Sequence, residues 1–183
     1  MSNEPSIGIV LGGGGVTGAS YEIAALMAIR LATGWEPNDA KVIIGTSAGS
    51  SVAGLVRGER LDIGTIVREM EDEDAVADRI SNTLYPRSNP GGLSRWMRRG
   101  ILPGLRSPGV SFVLGAPGRY DPDGIGDWLE GLIGAEAANS WPELPTVAVA
   151  YDLEERRRVA FGTEQAPDVS LRDAVAASSA VPI

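Results

Sequence analysis

Two short apolar runs, each ending in a glycine-rich turn and followed by a helical pattern, constrain this chain most. The first run covers residues 7–11 and leads into four consecutive glycines at 12–15. The second covers residues 41–44 and leads into Gly-Thr-Ser-Ala-Gly at 45–49. Apolar runs of this length indicate buried strands, and glycine clusters interrupt regular structure. The alternation of strand, turn and helix predicts an α/β fold around a mostly parallel sheet.

Helical spacing of apolar residues follows each of the two turns. After the first turn it predicts a helix from about Gly18 to Thr33, with Gly34 as a stop signal. After the second it predicts a helix of small residues over 50–57. Further along, the pattern predicts helices over 62–80, 93–99, 124–132 and 171–179, and strands over 146–151 and 158–161. The short acidic link between those two strands predicts a hairpin.

The chain length fits one domain. A chain of 183 residues can bury a sizeable core, and we expect a single domain over 1–183. Residues 81–120 are rich in glycine, proline, serine and arginine and show little periodicity. They predict a helical and irregular excursion over about 58–125, at the surface or as a lid.

Composition excludes several classes of function. The chain has no histidine and no cysteine, so a Ser-His-Asp triad, a histidine-ligated zinc and a disulfide framework cannot be built from it. We expect neither a metal nor a cofactor. The net charge of −8 argues against nucleic acid as a partner. With no basic leader and no apolar stretch of membrane-spanning length, a cytoplasmic location is the expectation.

The second turn has the pattern G-x-S-x-G, which predicts a nucleophilic serine. A strand that turns sharply into a helix can hold a serine at its apex, provided that small residues let the two backbones pass. Gly45 and Gly49 meet that need, and Thr46 and Ala48 complete the turn around Ser47. The N-terminus of the following helix would favour negative charge developing at this point.

The first glycine run predicts an oxyanion hole. Acyl transfer builds negative charge on the former carbonyl oxygen, and backbone N–H groups without a side chain in the way can stabilise that charge. Gly13, Gly14 and Gly15 are the candidate donors, and Gly18 opens the helix that follows.

The same glycines allow a second interpretation, a nucleotide-binding Rossmann-like domain. The spacing Gly13-x-Gly15-x-x-Gly18 after a strand matches the dinucleotide fingerprint. That fingerprint requires an acidic residue at the end of the second strand, where this chain has glycine, threonine and serine. Glu36 and Asp39 precede the strand, so nucleotide binding is the less favoured alternative.

Taken together, these segments resemble the patatin-like phospholipases across nearly the whole chain. The resemblance rests on the glycine loop at 12–18, the turn at 45–49, the two strands at 151–153 and 158–161, and the closing segment at 171–182. It implies a three-layer sandwich with a mostly parallel central sheet. It also implies a Ser–Asp dyad that hydrolyses acyl esters of lipids without histidine, with Ser47 as nucleophile and the loop Gly13–Gly18 as oxyanion hole.

Two positions depart from the family pattern. The family has arginine or lysine before the last loop glycine, where this chain has Thr17, which removes a positive charge near the loop. The family's catalytic aspartate lies beyond the stretch at 178–182, and this chain ends at Ile183. The resulting hypothesis is a C-terminally incomplete domain, weakly active or inactive alone. A non-catalytic lipid-binding pseudoenzyme fragment is the alternative function.

Asp152 and the segment 93–106 can each be interpreted either as functional or as ordinary surface structure. Asp152 follows a strand and could substitute as the base, although a hairpin-turn role is favoured by its position. Residues 93–106 mix arginines with Trp96 and aliphatic side chains. They could contact a membrane surface peripherally, which would suit a lipid substrate, but a solvated arginine face is the commoner outcome of such a pattern.

Overall fold

The computed structural model describes residues 6–61, 82–84, 86, 121, 123–152 and 155–180. The helices expected over 62–80 and 93–99, most of the 58–125 excursion and the 93–106 segment lie outside these residues. In chain order, the elements are β1 (Gly8–Leu11), α1 (Gly15–Thr33), a 3-10 helix (Pro37–Asp39), β2 (Val42–Thr46), α2 (Ala48–Arg57), α3 (Asp123–Ile133), α4 (Ala135–Ala138), β3 (Thr146–Asp152), β4 (Arg157–Phe161) and α5 (Leu171–Ser179).

These strands form one sheet of order β1-β2-β3-β4. β1 pairs with β2 and β2 with β3 in parallel, while β4 returns antiparallel to β3. Gly45 is level with Leu11 on one side and with Ala148 on the other, so the carboxyl ends of the three parallel strands lie at one edge. The mostly parallel sheet with helices around it confirms the predicted α/β fold, and the β3–β4 hairpin is also as predicted.

One face of the sheet is packed against helices. Ile9, Leu11, Ile43 and Ala148 point to this face and are buried. α2 lies across β1, β2 and β3, and α5 packs against β3 and α2. α1 and α3 pack in turn against α2, so the core lies between the sheet and these helices. Because side chains alternate along a strand, Val10 points to the opposite face, where it is 78% exposed.

Helix boundaries follow local hydrogen bonds. α1 begins at Gly15, three residues before the predicted start, because the Gly18 N–H already donates to the Gly14 carbonyl at 3.0 Å. It ends as predicted at Gly34, whose left-handed backbone (φ 71°) lets its N–H donate to Arg30 O at 2.8 Å. None of the described helices is long and apolar enough to cross a membrane.

Arg57, the last residue of α2, binds several groups at the amino-terminal end of the sheet. Arg57 donates to the Thr146 hydroxyl at 3.0 Å, to the Asn38 and Ala40 carbonyls at 2.6 and 2.8 Å, and to Pro145 O at 3.3 Å. Burial lowers the pKa of Arg57. These contacts join α2 to the loops entering β2 and β3, at the sheet edge opposite the serine turn.

Candidate functional site

Ser47 occupies the turn between β2 and α2. Its backbone has φ 52° and ψ −119°, a positive φ that side chains rarely adopt. Such a conformation costs about 1–3 kcal/mol and persists only when the surroundings impose it. The Ser50 and Ser51 N–H groups donate to the Ser47 carbonyl at 2.9 and 3.2 Å, so the first turn of α2 is anchored on this residue.

Only glycine fits two residues before and two residues after Ser47. A Cβ added to Gly45 would lie 2.3 Å from the Gly49 carbonyl oxygen. A Cβ added to Gly49 would lie 2.5 Å from the Leu11 carbonyl oxygen. Both neighbours are backbone atoms that cannot rotate away, so the close passage of β2, α2 and β1 depends on these two glycines. This is the physical reason for the G-x-S-x-G spacing in this chain.

The glycine loop lies directly beside the serine turn. The Gly49 N–H donates to the Gly12 carbonyl at 2.9 Å, which joins the two segments. A Cβ added to Gly13 would lie 3.6 Å from the Ser47 Cβ, so bare backbone faces the serine side chain at this position. The structure therefore brings together two motifs that are distant in the sequence, since Gly12 and Gly49 are 37 positions apart and Gly13 and Ser47 are 34.

The remaining loop glycines have distinct surroundings. Gly15 has φ 60°, in the left-handed region. A Cβ on Gly14 would lie 2.8 Å from the Gly18 Cα, and one on Gly18 would lie 3.9 Å from the Ala48 Cβ. The Gly18 N–H already donates to the Gly14 carbonyl at the start of α1, and a Cβ on Gly18 would make only ordinary van der Waals contacts. Thr17, at the usual arginine or lysine position, is exposed on the same turn of α1.

Sequence reasoning missed the two hydroxyls that contact the Ser47 backbone. Ser178 in α5 accepts the Ser47 N–H at 2.8 Å and donates to the Val149 carbonyl at 2.6 Å. Ser50 donates to the Ser47 carbonyl at 2.6 Å. Ser178 falls within the closing segment on which the family resemblance rests, but no spacing rule connects it to a residue 131 positions away.

A carboxylate of α1 lies close to the glycine loop and was also missed. Burial raises the pKa of Glu22, and a backbone hydrogen bond from Gly12 partly offsets that effect. Its Oε2 is buried and has no hydrogen-bond partner within the described part of the chain. The charged form of Glu22 is therefore disfavoured next to the residue that follows β1.

Asp152 ends β3, at the same edge of the sheet as the serine turn. It is level with Arg157 of β4, and its Oδ1 accepts the Glu155 N–H at 3.0 Å across the hairpin. This contact is typical of a turn residue. No group of three acidic side chains that could hold a metal ion occurs among the residues that the structure describes.

A serine with positive φ on a strand-to-helix turn, with a glycine two residues before it and another two residues after it, has the geometry of a nucleophile elbow. A comparison with protein-family profiles matches residues 9–183 to the patatin-like phospholipases. The chain belongs to the patatin-like phospholipase family, whose members are typically lipid acyl hydrolases. A search of curated proteins finds no match.

Proposed function

We propose that this chain is a lipid acyl hydrolase in which Ser47 is the nucleophile. One observation carries the proposal: the Ser47 side chain, on a turn with φ 52°, lies beside the bare backbone of Gly13. A hydroxyl held in this way can attack a carbonyl carbon while the loop amides face the carbonyl oxygen. Membership of the patatin-like family supports an ester of a lipid as the substrate class.

The proposed reaction has two steps. The Ser47 Oγ forms a bond to the ester carbonyl carbon while a base takes its proton, and the tetrahedral intermediate then expels the alcohol, which receives that proton. Water attacks the resulting acyl-enzyme with help from the same base, which releases the fatty acid and restores Ser47. Both steps pass through an oxyanion, so both need the same backbone donors.

The donors that we propose are the N–H groups of Gly13, Gly14 and Gly15. Gly13 is the nearest of them to Ser47, and no side chain separates the two. Each well-placed donor lowers such a barrier by about 2.7–4 kcal/mol. Gly18 is not among the proposed donors, because its N–H already donates to the Gly14 carbonyl at 3.0 Å.

The base of the proposed dyad is an aspartate, in keeping with a chain that has no histidine. Asp152 is the candidate at the correct edge of the sheet. Its Oδ1 accepts the Glu155 N–H across the hairpin at 3.0 Å, which is the contact of a turn residue. The turn role is therefore favoured for Asp152, and Asp152→Asn should leave the reactivity of Ser47 within about threefold of wild type on that argument.

Peripheral contact with a lipid surface belongs to the same proposal. The segment expected to make it, residues 93–106, lies outside the described residues. A variant lacking residues 92–106 should bind phospholipid vesicles more weakly in a sedimentation assay. Unchanged vesicle binding would end this part of the proposal.

A fluorophosphonate probe tests the nucleophile, because it reacts with activated serines only. In the wild-type chain we expect the probe on the peptide that contains Ser47, and in Ser47→Ala we expect no label on that peptide. Ser20→Ala is the matched control, since Ser20 is an exposed serine of α1 whose hydroxyl donates to Val16 O at 3.0 Å. Equal labelling of wild type and Ser47→Ala would refute the proposal. Vesicle binding without any labelling would instead favour the non-catalytic lipid-binding alternative.

A further inference from the structure

The hydrogen bonds at Ser178 have a defined direction. A backbone N–H can only donate and a backbone carbonyl can only accept, whereas a hydroxyl does one of each. The Ser47 N–H therefore donates to the Ser178 Oγ at 2.8 Å, and the Ser178 hydroxyl donates to the Val149 carbonyl at 2.6 Å. The hydroxyl hydrogen has no freedom to point elsewhere while both bonds are made.

These two bonds lie where the ladder between β2 and β3 stops. Thr46, the last residue of β2, is level with Val149 of β3. Ser47 comes next and turns out of the strand, so its N–H leaves the regular pattern. The Ser178 hydroxyl fills the gap by bridging this amide to the Val149 carbonyl.

The two backbone polar groups of Ser47 differ in how many partners they have. The carbonyl has three donors, namely the Ser50 hydroxyl and the N–H groups of Ser50 and Ser51. For the amide, Ser178 is the one acceptor found among the described residues. A rare backbone conformation persists only when its surroundings impose it, and on the N-terminal side of Ser47 that role falls to α5.

We infer that Ser178 is a positioning residue for the nucleophile, an inference that rests on the proposed role of Ser47. Ser178 contacts the Ser47 backbone and β3, and it acts on the reaction only by holding the serine turn. Because its hydroxyl takes up the Ser47 N–H, that amide is withheld from the oxyanion. The oxyanion donors must then come from the glycine loop and the start of α2.

The kinetic test compares Ser178→Ala with two matched variants. Ser178→Thr keeps a hydroxyl, and Ser179→Ala removes a buried hydroxyl from the same helix, where Ser179 is 6% exposed. We expect Ser178→Ala to lower the rate constant for fluorophosphonate labelling, and kcat on a p-nitrophenyl ester, by about 10- to 100-fold with KM within about threefold. Ser178→Thr should recover most of that loss, and Ser179→Ala should react like wild type. Equal losses in Ser178→Ala and Ser179→Ala would overturn the inference, as would a wild-type rate in Ser178→Ala.

Amide hydrogen exchange separates this inference from the proposed function. The Ser47 N–H of the wild-type chain should be protected, and its exchange should speed up at least about tenfold in Ser178→Ala but not in Ser179→Ala. An unprotected Ser47 amide in the wild type would overturn the inference without any variant. If the probe labels no serine but the exchange pattern holds, the proposed function fails and the positioning of the turn by Ser178 stands.

Discussion

Gly49→Ala should destabilise the fold, although alanine is the better helix former. The added Cβ would lie 2.5 Å from the Leu11 carbonyl oxygen and 2.6 Å from the Leu11 Cβ, about 1 Å inside ordinary van der Waals contact. Overpacking of this kind costs about 1–3 kcal/mol, and rigid backbone on the β1 side favours the upper value. The higher helix propensity of alanine adds back about 0.5–1 kcal/mol, so the free energy of unfolding should fall by about 2 kcal/mol.

Gly131→Ala is the matched control for this prediction. Gly131 lies in α3, and beyond the backbone of that helix a Cβ there would meet no atom of the described residues within 4 Å. The same substitution should therefore stabilise the chain by about 0.5–1 kcal/mol. For a chain of this size, 1 kcal/mol shifts Tm by about 2–4 °C, so Gly49→Ala should melt about 4–8 °C below wild type and Gly131→Ala about 1–4 °C above it.

Thermal unfolding by circular dichroism, with urea titration at one temperature, measures both variants. Labelling of Ser47 should also slow in Gly49→Ala, because moving β1 away from α2 lengthens the 2.9 Å bond from the Gly49 N–H to Gly12 O. If Gly49→Ala melted at or above the wild-type temperature, the close packing of β1 on α2 described above would be wrong. A destabilised Gly131→Ala would instead show that helix propensity has been misjudged.

Three other outcomes are expected. Arg57→Lys should lower the free energy of unfolding, measured by urea titration, by about 1.5–3 kcal/mol. A single ammonium cannot reach the separate acceptors at the start of β2 and β3 that the guanidinium binds. Burial raises the pKa of Glu22, so the chain is most stable below the ordinary glutamate pKa and loses stability as pH rises through the raised pKa. In a pH series of melting curves, the Tm of wild type should therefore fall relative to that of Glu22→Gln as pH rises from below the ordinary glutamate pKa. Arg172→Gln should lower the free energy of unfolding by at most about 1 kcal/mol, and by less in high salt, because its partner Asp127 is 68% exposed. A decrease that is the same at low and high salt would contradict this expectation.

Local sequence signals predict those elements whose ends are set by near neighbours. α5 spans Leu171–Ser179, the predicted range, because Ser170 caps it by accepting the Asp173 N–H at 3.1 Å. α1 and α2 begin earlier than predicted, at Gly15 and Ala48. Both starts lie inside glycine-rich turns, where low helix propensity argues against a helix and contacts across the site override it.

In the candidate site, too, local sequence predicts some features and distant contacts determine the others. The serine turn could be predicted because its glycines are two residues from Ser47 and have a steric reason to be there. The contact between Ser47 and Ser178 could not, because it joins residues 131 positions apart through the packing of α5 on β3. The burial of the Glu22 Oε2 atom could not be predicted either, because a glutamate in a helix ordinarily faces solvent. The 3-10 helix at Pro37–Asp39 and α4 were too short to give a periodic signal.

Both ends of α2 are hydrogen-bonded to other parts of the fold, and these bonds restrict how the backbone of Ser47 can change its conformation. The Gly49 N–H ties the first turn to the glycine loop, and Arg57 ties the last turn to the opposite edge of the sheet. The helix therefore cannot slide along its axis to relax the backbone of Ser47. Heating should not loosen the serine turn before the described sheet and helices unfold, so the loss of fluorophosphonate labelling at Ser47 and the loss of helical signal should have the same midpoint.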